Sequence, residues 1–194
     1  MVENGLDNSS TDWAQLGTDI GNHTHLNQLE INGTKMQEVW DDIEMSQKFM
    51  RGVSSCTSIT QLTLEDVKIP SMHTNSSLDS MHNLRKLELL TSHLGEGYAA
   101  LGKLLKNPES KLHELKIVTG DFSIASNILN DSLENNTTLK KLHIQFHSAN
   151  GVQVAWACRN SSIEDLALVD SDRSCEKELV RVGEVLRTIQ HSRN

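Results

Sequence analysis

The feature that most constrains the fold is a short apolar pattern that occurs six times along the chain. Each copy has an aliphatic residue at its first, fourth and sixth positions, as in Leu84, Leu87 and Leu89. The copies begin at residues 26, 59, 84, 112, 139 and 163, so successive copies are 33, 25, 28, 27 and 24 residues apart. Apolar residues at alternate positions predict a strand with one buried face. Because a single strand cannot bury that face alone, the recurring interval predicts strands stacked side by side in an array.

The segments between the copies have the spacing of amphipathic helices. The clearest contains Leu101, Leu104 and Leu105, follows a glycine-rich corner and stops before Pro108. Another helix is expected around Trp13, Leu16 and Ile20, with Thr11 or Asp12 as its N-cap. Further helical segments are expected at residues 39–50 (longer and bent), 78–81 (a single turn), 124–133, 152–159 and 179–189. Each copy therefore predicts one strand followed by one helix.

This pattern resembles the leucine-rich-repeat family, in particular its ribonuclease-inhibitor-like subtype with longer repeats. The family motif is L-x-x-L-x-L-x-x-N/C-x-L followed by a helix, and residues 84–94, LRKLELLTSHL, match each of its apolar positions. The resemblance covers residues 12–190 and implies an α/β fold. That fold is a curved solenoid with about six parallel strands on the concave face and helices on the convex face.

The chain departs from the family motif at the Asn/Cys position. The six copies hold other residues there, namely Thr34, Val67, Ser92, Gly120, His147 and Ser171. A ladder of buried amides at this position is therefore not expected, and the turn after each strand is expected to be loosely packed.

The domain organisation follows from where the periodicity begins. Residues 1–10 have no apolar period and are expected to form a polar tail. Residues 11–194 are expected to form a single solenoid domain. Neither end carries a dedicated polar cap, which leaves two interpretations: a segment of a longer array, or an array capped by its first and last helices.

Charge and cysteine content narrow the classes of partner and the compartment. The formal net charge of −8 argues against a general binder of nucleic acids or anionic membranes, which needs an excess of Lys and Arg. No apolar run reaches the ~18 residues that span a bilayer. Cys56, Cys158 and Cys175 form an odd, widely spaced set that is typical of reduced thiols. The protein is therefore expected in the cytoplasm, with the nucleus as the alternative.

The Asn-x-Ser/Thr triplets of the chain, such as the one at Asn136, would be glycan acceptors in a secreted protein. We interpret them as turn and cap residues of a cytoplasmic protein.

No motif for catalysis or cofactor binding is present in the sequence. It contains no GxSxG, P-loop, GxGxxG or HExxH pattern, so the protein is not expected to be an enzyme or to hold a cofactor. His143 and His147 are four residues apart, but on a strand and its following loop that spacing does not converge two metal ligands. No metal site is expected.

The outward positions of the strands provide the candidate binding surface. Residues at the third, fifth and seventh positions of each copy point away from the helices, because successive side chains of a strand alternate between faces. The third positions of the last four copies alternate in sign from Lys86 to Asp165, which is interpreted as a self-neutralising ladder, and Glu88 beside Lys116 is expected to repeat that pairing.

The seventh positions bring Leu90 and Val118 to adjacent strands, where they are expected to face solvent unless loops or helix ends cover them. The expected partner-binding residues of the concave face are Glu88, Leu90, Lys116, Val118, Lys141, His143, Gln145 and Phe146.

These features favour a non-catalytic protein–protein interaction module that binds a protein partner through its concave sheet. Two alternatives come from the roles of proteins with similar repeats and from the uncapped ends. The first is a regulator of an enzyme, either a GTPase activator, with Arg85 at the sheet edge, or an inhibitor. The inhibitor role is less favoured because proteins of that type are rich in Cys and Trp, and this chain has three of each. The second is a segment of a larger assembly that stacks through its ends.

Overall fold

The computed structural model describes residues 12–67, 78, 80–91, 97–119, 129, 131–146 and 160–170. Six parallel strands form one open sheet in which spatial order and chain order are the same, with β1 and β6 at its edges. The strands are β1 (Gln28–Asn32), β2 (Gln61–Glu65), β3 (Lys86–Leu90), β4 (Glu114–Thr119), β5 (Lys141–Phe146) and β6 (Asp165–Asp170). Each strand begins two residues after the start of an apolar copy, so the predicted strands and the α/β class are confirmed.

Helical segments connect or precede the first strands. They are α1 (Trp13–Gly21), a 3-10 turn (Gly33–Met36), α2 (Gln37–Asp41), α3 (Ile43–Ser55) and α4 (Gly97–Lys106). Residues 131–134 are also helical, whereas the described residues around 78–81 form turns. The expected helices at 152–159 and 179–189, most of the one at 124–133, and the tail at 1–10 lie outside the described residues.

Two aspartates define where α1 and α3 begin. The Asp12 carboxylate accepts a hydrogen bond of 3.0 Å from the backbone N–H of Gln15 and caps α1, as expected. Asp42 separates α2 from α3 and accepts a bond of 3.0 Å from the N–H of Met45. The bent segment predicted over residues 39–50 is therefore two helices. Asp42 is the N-cap of the second of them.

The core lies between the sheet and the helices. Side chains at the fourth and sixth positions of the copies are buried in β2–β5, with Leu64 and Leu87 both at 0% exposure. They share one apolar cluster with Phe49 of α3 and with Leu101 of α4. Because strand side chains alternate, the third, fifth and seventh positions lie on the opposite side of the sheet. We call that side, defined by these three positions in β1–β6, the open face.

α1 and α3 approach each other closely at two glycines. A Cβ atom on Gly17 would lie 2.6 Å from the carbonyl oxygen of Phe49, and one on Gly52 would lie 2.2 Å from the carbonyl carbon of Gly17. Beside this crossing the rings of Trp13 and Phe49 meet edge to face, with centroids 6.2 Å apart. Only glycine permits this separation of the two backbones.

The turns after β2 and β3 are more tightly held than expected. Asp66 and Thr91 follow the two strands and have φ angles of 51° and 49°, in the left-handed region that non-glycine residues rarely adopt. Their N–H groups donate to the next strand, Asp66 to Leu90 O at 2.9 Å and Thr91 to Val118 O at 2.8 Å. The Thr91 hydroxyl also donates to the Asp66 carboxylate. Val67, at the motif's Asn/Cys position, is fully buried, so an apolar contact stands where the family places an amide.

Candidate functional site

The register of the sheet brings equivalent positions of the copies into straight rows. Each third, fifth and seventh residue pairs with its counterpart on the next strand, as in Lys116 opposite Glu88 on one side and His143 on the other. The third-position row is Gln28, Gln61, Lys86, Glu114, Lys141 and Asp165. The fifth-position row is Glu30, Thr63, Glu88, Lys116, His143 and Ala167, and the seventh is Asn32, Glu65, Leu90, Val118, Gln145 and Val169. The rows predicted from sequence are therefore present.

Only part of the expected charge ladder is formed. The Lys141 ammonium lies 3.0 Å from a Glu114 oxygen on the neighbouring strand, and this hydrogen bond and charge raise the pKa of Lys141. Lys86 instead turns to Glu88 of its own strand, with an N···O distance of 3.2 Å. Asp165 lies in no ion pair with a residue that the structure describes. The third-position row is thus not a continuous ladder.

The expected pairing of Glu88 with Lys116 is wrong. The two carboxylate oxygens of Glu88 are both engaged, Oε1 by Lys86 and Oε2 by the hydroxyl of Thr63 at 3.3 Å. Among the described residues, Lys116 forms no ion pair. The open face therefore has a half-buried cation without a counter-ion near its centre.

Lys116 lies in a shallow groove of about 190 Å³. Its floor and sides are formed by the third and fifth positions of β3–β6, with Ala167 at the end of the fifth-position row. Because Ala167 has no side chain beyond Cβ, the space beside His143 on that strand is left unfilled. The groove is lined by charged side chains of both signs, and Lys116 is the cation among them that no carboxylate neutralises.

The pKa of His143, which lines the groove, lies below its ordinary value. Burial lowers the pKa of the imidazole, and the adjacent Lys116 ammonium lowers it further, while Asp165 and Glu88 act in the opposite direction. The Nε2 atom is buried and has no hydrogen-bond partner among the described residues. At neutral pH the imidazole beside Lys116 is therefore uncharged.

The seventh-position row places aliphatic side chains next to this charged groove. Leu90, Val118 and Val169 are each partly buried, so they are less exposed than the sequence indicated, and Gln145 interrupts the row between the two valines. Phe146 ends β5 opposite Thr119, and its side chain lies outside what the structure describes. At the other end of the open face Asn32 donates to Glu65 at 2.8 Å, so that region is polar and acidic.

All eight candidate residues thus lie on β3, β4 or β5, and the structure brings four of them together in the groove. Those four are Glu88, Lys116, Lys141 and His143, and Val118 lies next to them in the seventh-position row. Leu90 adjoins Val118 in register. Arg85 precedes β3 and is exposed, and it forms no ion pair with any residue in the described ranges.

A ladder of two asparagines that the repeat pattern did not predict as structural residues holds the turns leading into the last strands. Asn136 is 5% exposed, donates to Leu105 O of the preceding unit at 2.7 Å and accepts from the N–H of Leu139 at 2.7 Å. Asn160 repeats this arrangement one unit later, donating to Asn136 O at 2.8 Å and accepting from the N–H of Ile163 at 3.2 Å.

The signal for this ladder was present in the sequence. Both asparagines stand three residues before the first aliphatic residue of a copy, and both begin an Asn-x-Ser/Thr triplet. Their amides are used inside the protein, which supports our interpretation of the Asn136 triplet as a turn element.

Among the residues described, there is little support for a metal site, a reactive cysteine or a membrane-spanning helix. In those ranges no group of three His, Cys, Asp or Glu side chains is placed to hold a metal ion. Cys56 is a buried free thiol whose sulfur contacts the carbonyl of His23 at 3.2 Å. None of the helices described is both long and apolar enough to cross a bilayer.

Comparison of the chain with protein-family models, with curated proteins and with solved structures gives no match in any of the three.

Proposed function

We propose that this protein is a non-catalytic binding module, a curved solenoid similar to the ribonuclease-inhibitor-like leucine-rich repeats, which binds a protein partner through the open face. In this proposal the open face is the concave side of the solenoid, and the protein acts in the cytoplasm or the nucleus. Support comes from six parallel strands in chain order with unbroken register, because this arrangement is typical of repeats that each contact only their neighbours.

One observation carries the functional part of the proposal. Within a single surface, the register combines a half-buried lysine that has no ion pair with any described residue, Lys116, with the partly exposed aliphatic row of Leu90, Val118 and Val169. Covering aliphatic surface contributes about 25 cal/mol per Å² of area removed from water. Protein interfaces combine such an apolar centre with a polar surround, and the paired Lys141–Glu114 side chains supply that surround here.

The test is partner capture with matched variants. The tagged full chain and two leucine-to-aspartate variants are expressed in cells, and the co-purified proteins are quantified by mass spectrometry. Leu90→Asp places a carboxylate on the open face, whereas Leu16→Asp makes the same change on α1, where Leu16 is 37% exposed. Circular dichroism establishes that both variants are folded.

We expect Leu90→Asp to lose the co-purifying protein and Leu16→Asp to retain it. Equal capture by both variants would refute binding through the open face. Loss of capture with Leu16→Asp alone would show that the partner binds at α1 and not at the open face.

A further inference from the structure

We propose that Lys116, together with the aliphatic side chain of Val118, recognises an extended peptide segment of the partner that carries an acidic side chain and, two residues later, an aliphatic one. This inference rests on the proposed function and specifies the chemistry of the partner. The acidic side chain binds at the fifth-position row, and the aliphatic side chain packs on the seventh-position row.

Within the groove, the position beside Lys116 favours a carboxylate, whereas Asp165, which lines the groove on β6 and forms no ion pair with a described residue, favours a cation there. Lys86 and Lys141 are already neutralised, at 3.2 Å by Glu88 and at 3.0 Å by Glu114. Lys116 is half-buried and has no ion pair with any residue described, so it is the cation whose interaction with a ligand carboxylate replaces no existing bond. A basic ligand side chain would be repelled at the same position.

His143 borders Lys116 on the neighbouring strand without adding charge, because burial and the Lys116 ammonium lower the pKa of its imidazole and the ring is neutral at pH 7. Its Nε2 atom is buried, so the ring lines the groove and the ammonium of Lys116 makes the contact with the carboxylate.

The spacing of the rows sets the spacing in the ligand. Lys116 and Val118 are two residues apart on β4 and lie on the same face of the sheet. Strand geometry separates such residues by about 6.6 Å, and side chains at i and i+2 of an extended ligand have the same separation. An extended segment that runs along β4 in the same direction as the strand therefore presents its acidic side chain to Lys116 and, two residues later, its aliphatic side chain to Val118. Leu90 flanks Val118 on the neighbouring strand and widens the apolar contact.

The test uses short peptides with blocked ends and nuclear magnetic resonance of the full chain. The probe is acetyl-Gly-Glu-Ser-Leu-Gly-amide. Two control peptides change one property each: Gln replaces Glu in the first, and Glu and Leu are adjacent in the second. Signals of the His143 ring and the Val118 methyl groups report binding, and inorganic phosphate is titrated separately as a simple anion.

The probe is expected to shift both signals, and each control peptide to bind about fivefold more weakly, the size of one partly exposed charge contact. Lys116→Gln is expected to lower the affinity of the protein for the probe peptide by the same factor. Lys103→Gln removes an equal charge from the exposed side of α4 and is expected to leave the affinity unchanged. Equal affinity for the Glu and Gln peptides, no effect of Lys116→Gln, or equally strong shifts with phosphate would overturn the proposal.

Partner capture separates this inference from the proposed function. If Leu90→Asp abolishes capture while Lys116→Gln leaves it unchanged, the open face binds a partner but the carboxylate chemistry is wrong. If neither variant changes capture, both the inference and the proposed function fail.

Discussion

Replacing Gly52 by alanine tests how α1 docks on α3. A Cβ atom at position 52 would lie 2.2 Å from the carbonyl carbon of Gly17, 2.3 Å from its oxygen and 2.7 Å from the N–H nitrogen of Thr18. All three are backbone atoms, and ordinary carbon contacts are about 3.5–4.0 Å. The two helices must therefore move apart by roughly 1 Å, since no side chain can rotate out of the way.

The expected free-energy change is a balance of three effects. Alanine favours helix over glycine by about 1 kcal/mol. Overpacking typically costs about 1–3 kcal/mol, and separating the Trp13 and Phe49 rings forfeits about 0.5–1.5 kcal/mol of edge-to-face contact. The balance is a destabilisation of about 2 kcal/mol.

Urea unfolding followed by circular dichroism measures this balance. Thr18→Ala is the matched control, because Thr18 lies on the exposed side of α1 and alanine there gains helix propensity without a clash. We expect Gly52→Ala to unfold at lower urea concentration than the wild type, and Thr18→Ala at the same or a slightly higher one. If Gly52→Ala is instead stabilised by about 1 kcal/mol, the value for helix propensity alone, the two helices do not cross at these glycines.

Three further predictions concern the turns and the groove. Asn136→Ala leaves buried backbone groups unpaired and should lower the free energy of unfolding by about 2–3 kcal/mol, as measured by thermal unfolding. The same change at its exposed neighbour, Asn135→Ala, should alter the free energy of unfolding little. Thr91→Asn should raise the free energy of unfolding by about 0.5–1 kcal/mol in the same assay, because asparagine tolerates a φ of 49° and has an amide that can donate to Asp66 in place of the hydroxyl. A lower melting temperature would contradict backbone strain at Thr91. The pKa of His143 in the folded protein is below its ordinary value of 6.5, so the unfolded state binds more protons, and the free energy of unfolding should fall as the pH drops below 6.5. His143→Gln should flatten this part of the pH–stability curve, and an unchanged curve would refute the lowered pKa of His143.

The strands could be predicted from sequence because their signal is local and repeated. Leu87 and Leu89 fix which side of β3 is buried, and the same offset in every copy fixes the register, since a shift by one residue would expose the apolar side chains. Rows on the open face follow from that register without further information. The position of Lys116 between Glu88 and His143 was therefore predictable.

The ionic contacts within those rows could not be predicted. Glu88 has a lysine two residues before it and another on the next strand, and which one it pairs with depends on side-chain rotamers that the sequence does not specify. Because Glu88 pairs with Lys86, Lys116 has no counter-ion among the described residues. The sequence pattern indicated a neutral ladder, whereas in the described part of the chain Lys116 and Asp165 both lack an ion-pair partner.

The crossing of α1 and α3 could not be predicted from the sequence, for a different reason. Gly17 and Gly52 are 35 residues apart, and each alone indicates only a weakened helix. Their role depends on two helix backbones meeting, which no local pattern encodes. The asparagine ladder was not predicted because the family motif has its asparagine in the turn after the strand, whereas Asn136 and Asn160 hold the turn before it.

The most direct test of the central claim, that the open face around Lys116 is the partner-binding surface, is photo-cross-linking from single positions in cells. A photoreactive amino acid replaces Val118 on the open face or Lys103 on α4, and cross-linked peptides are identified by mass spectrometry. We expect adducts from position 118, mapping to a segment of the partner with an acidic residue two positions before an aliphatic one, and none of that partner from position 103. Adducts from position 103 without any from position 118 would contradict the claim.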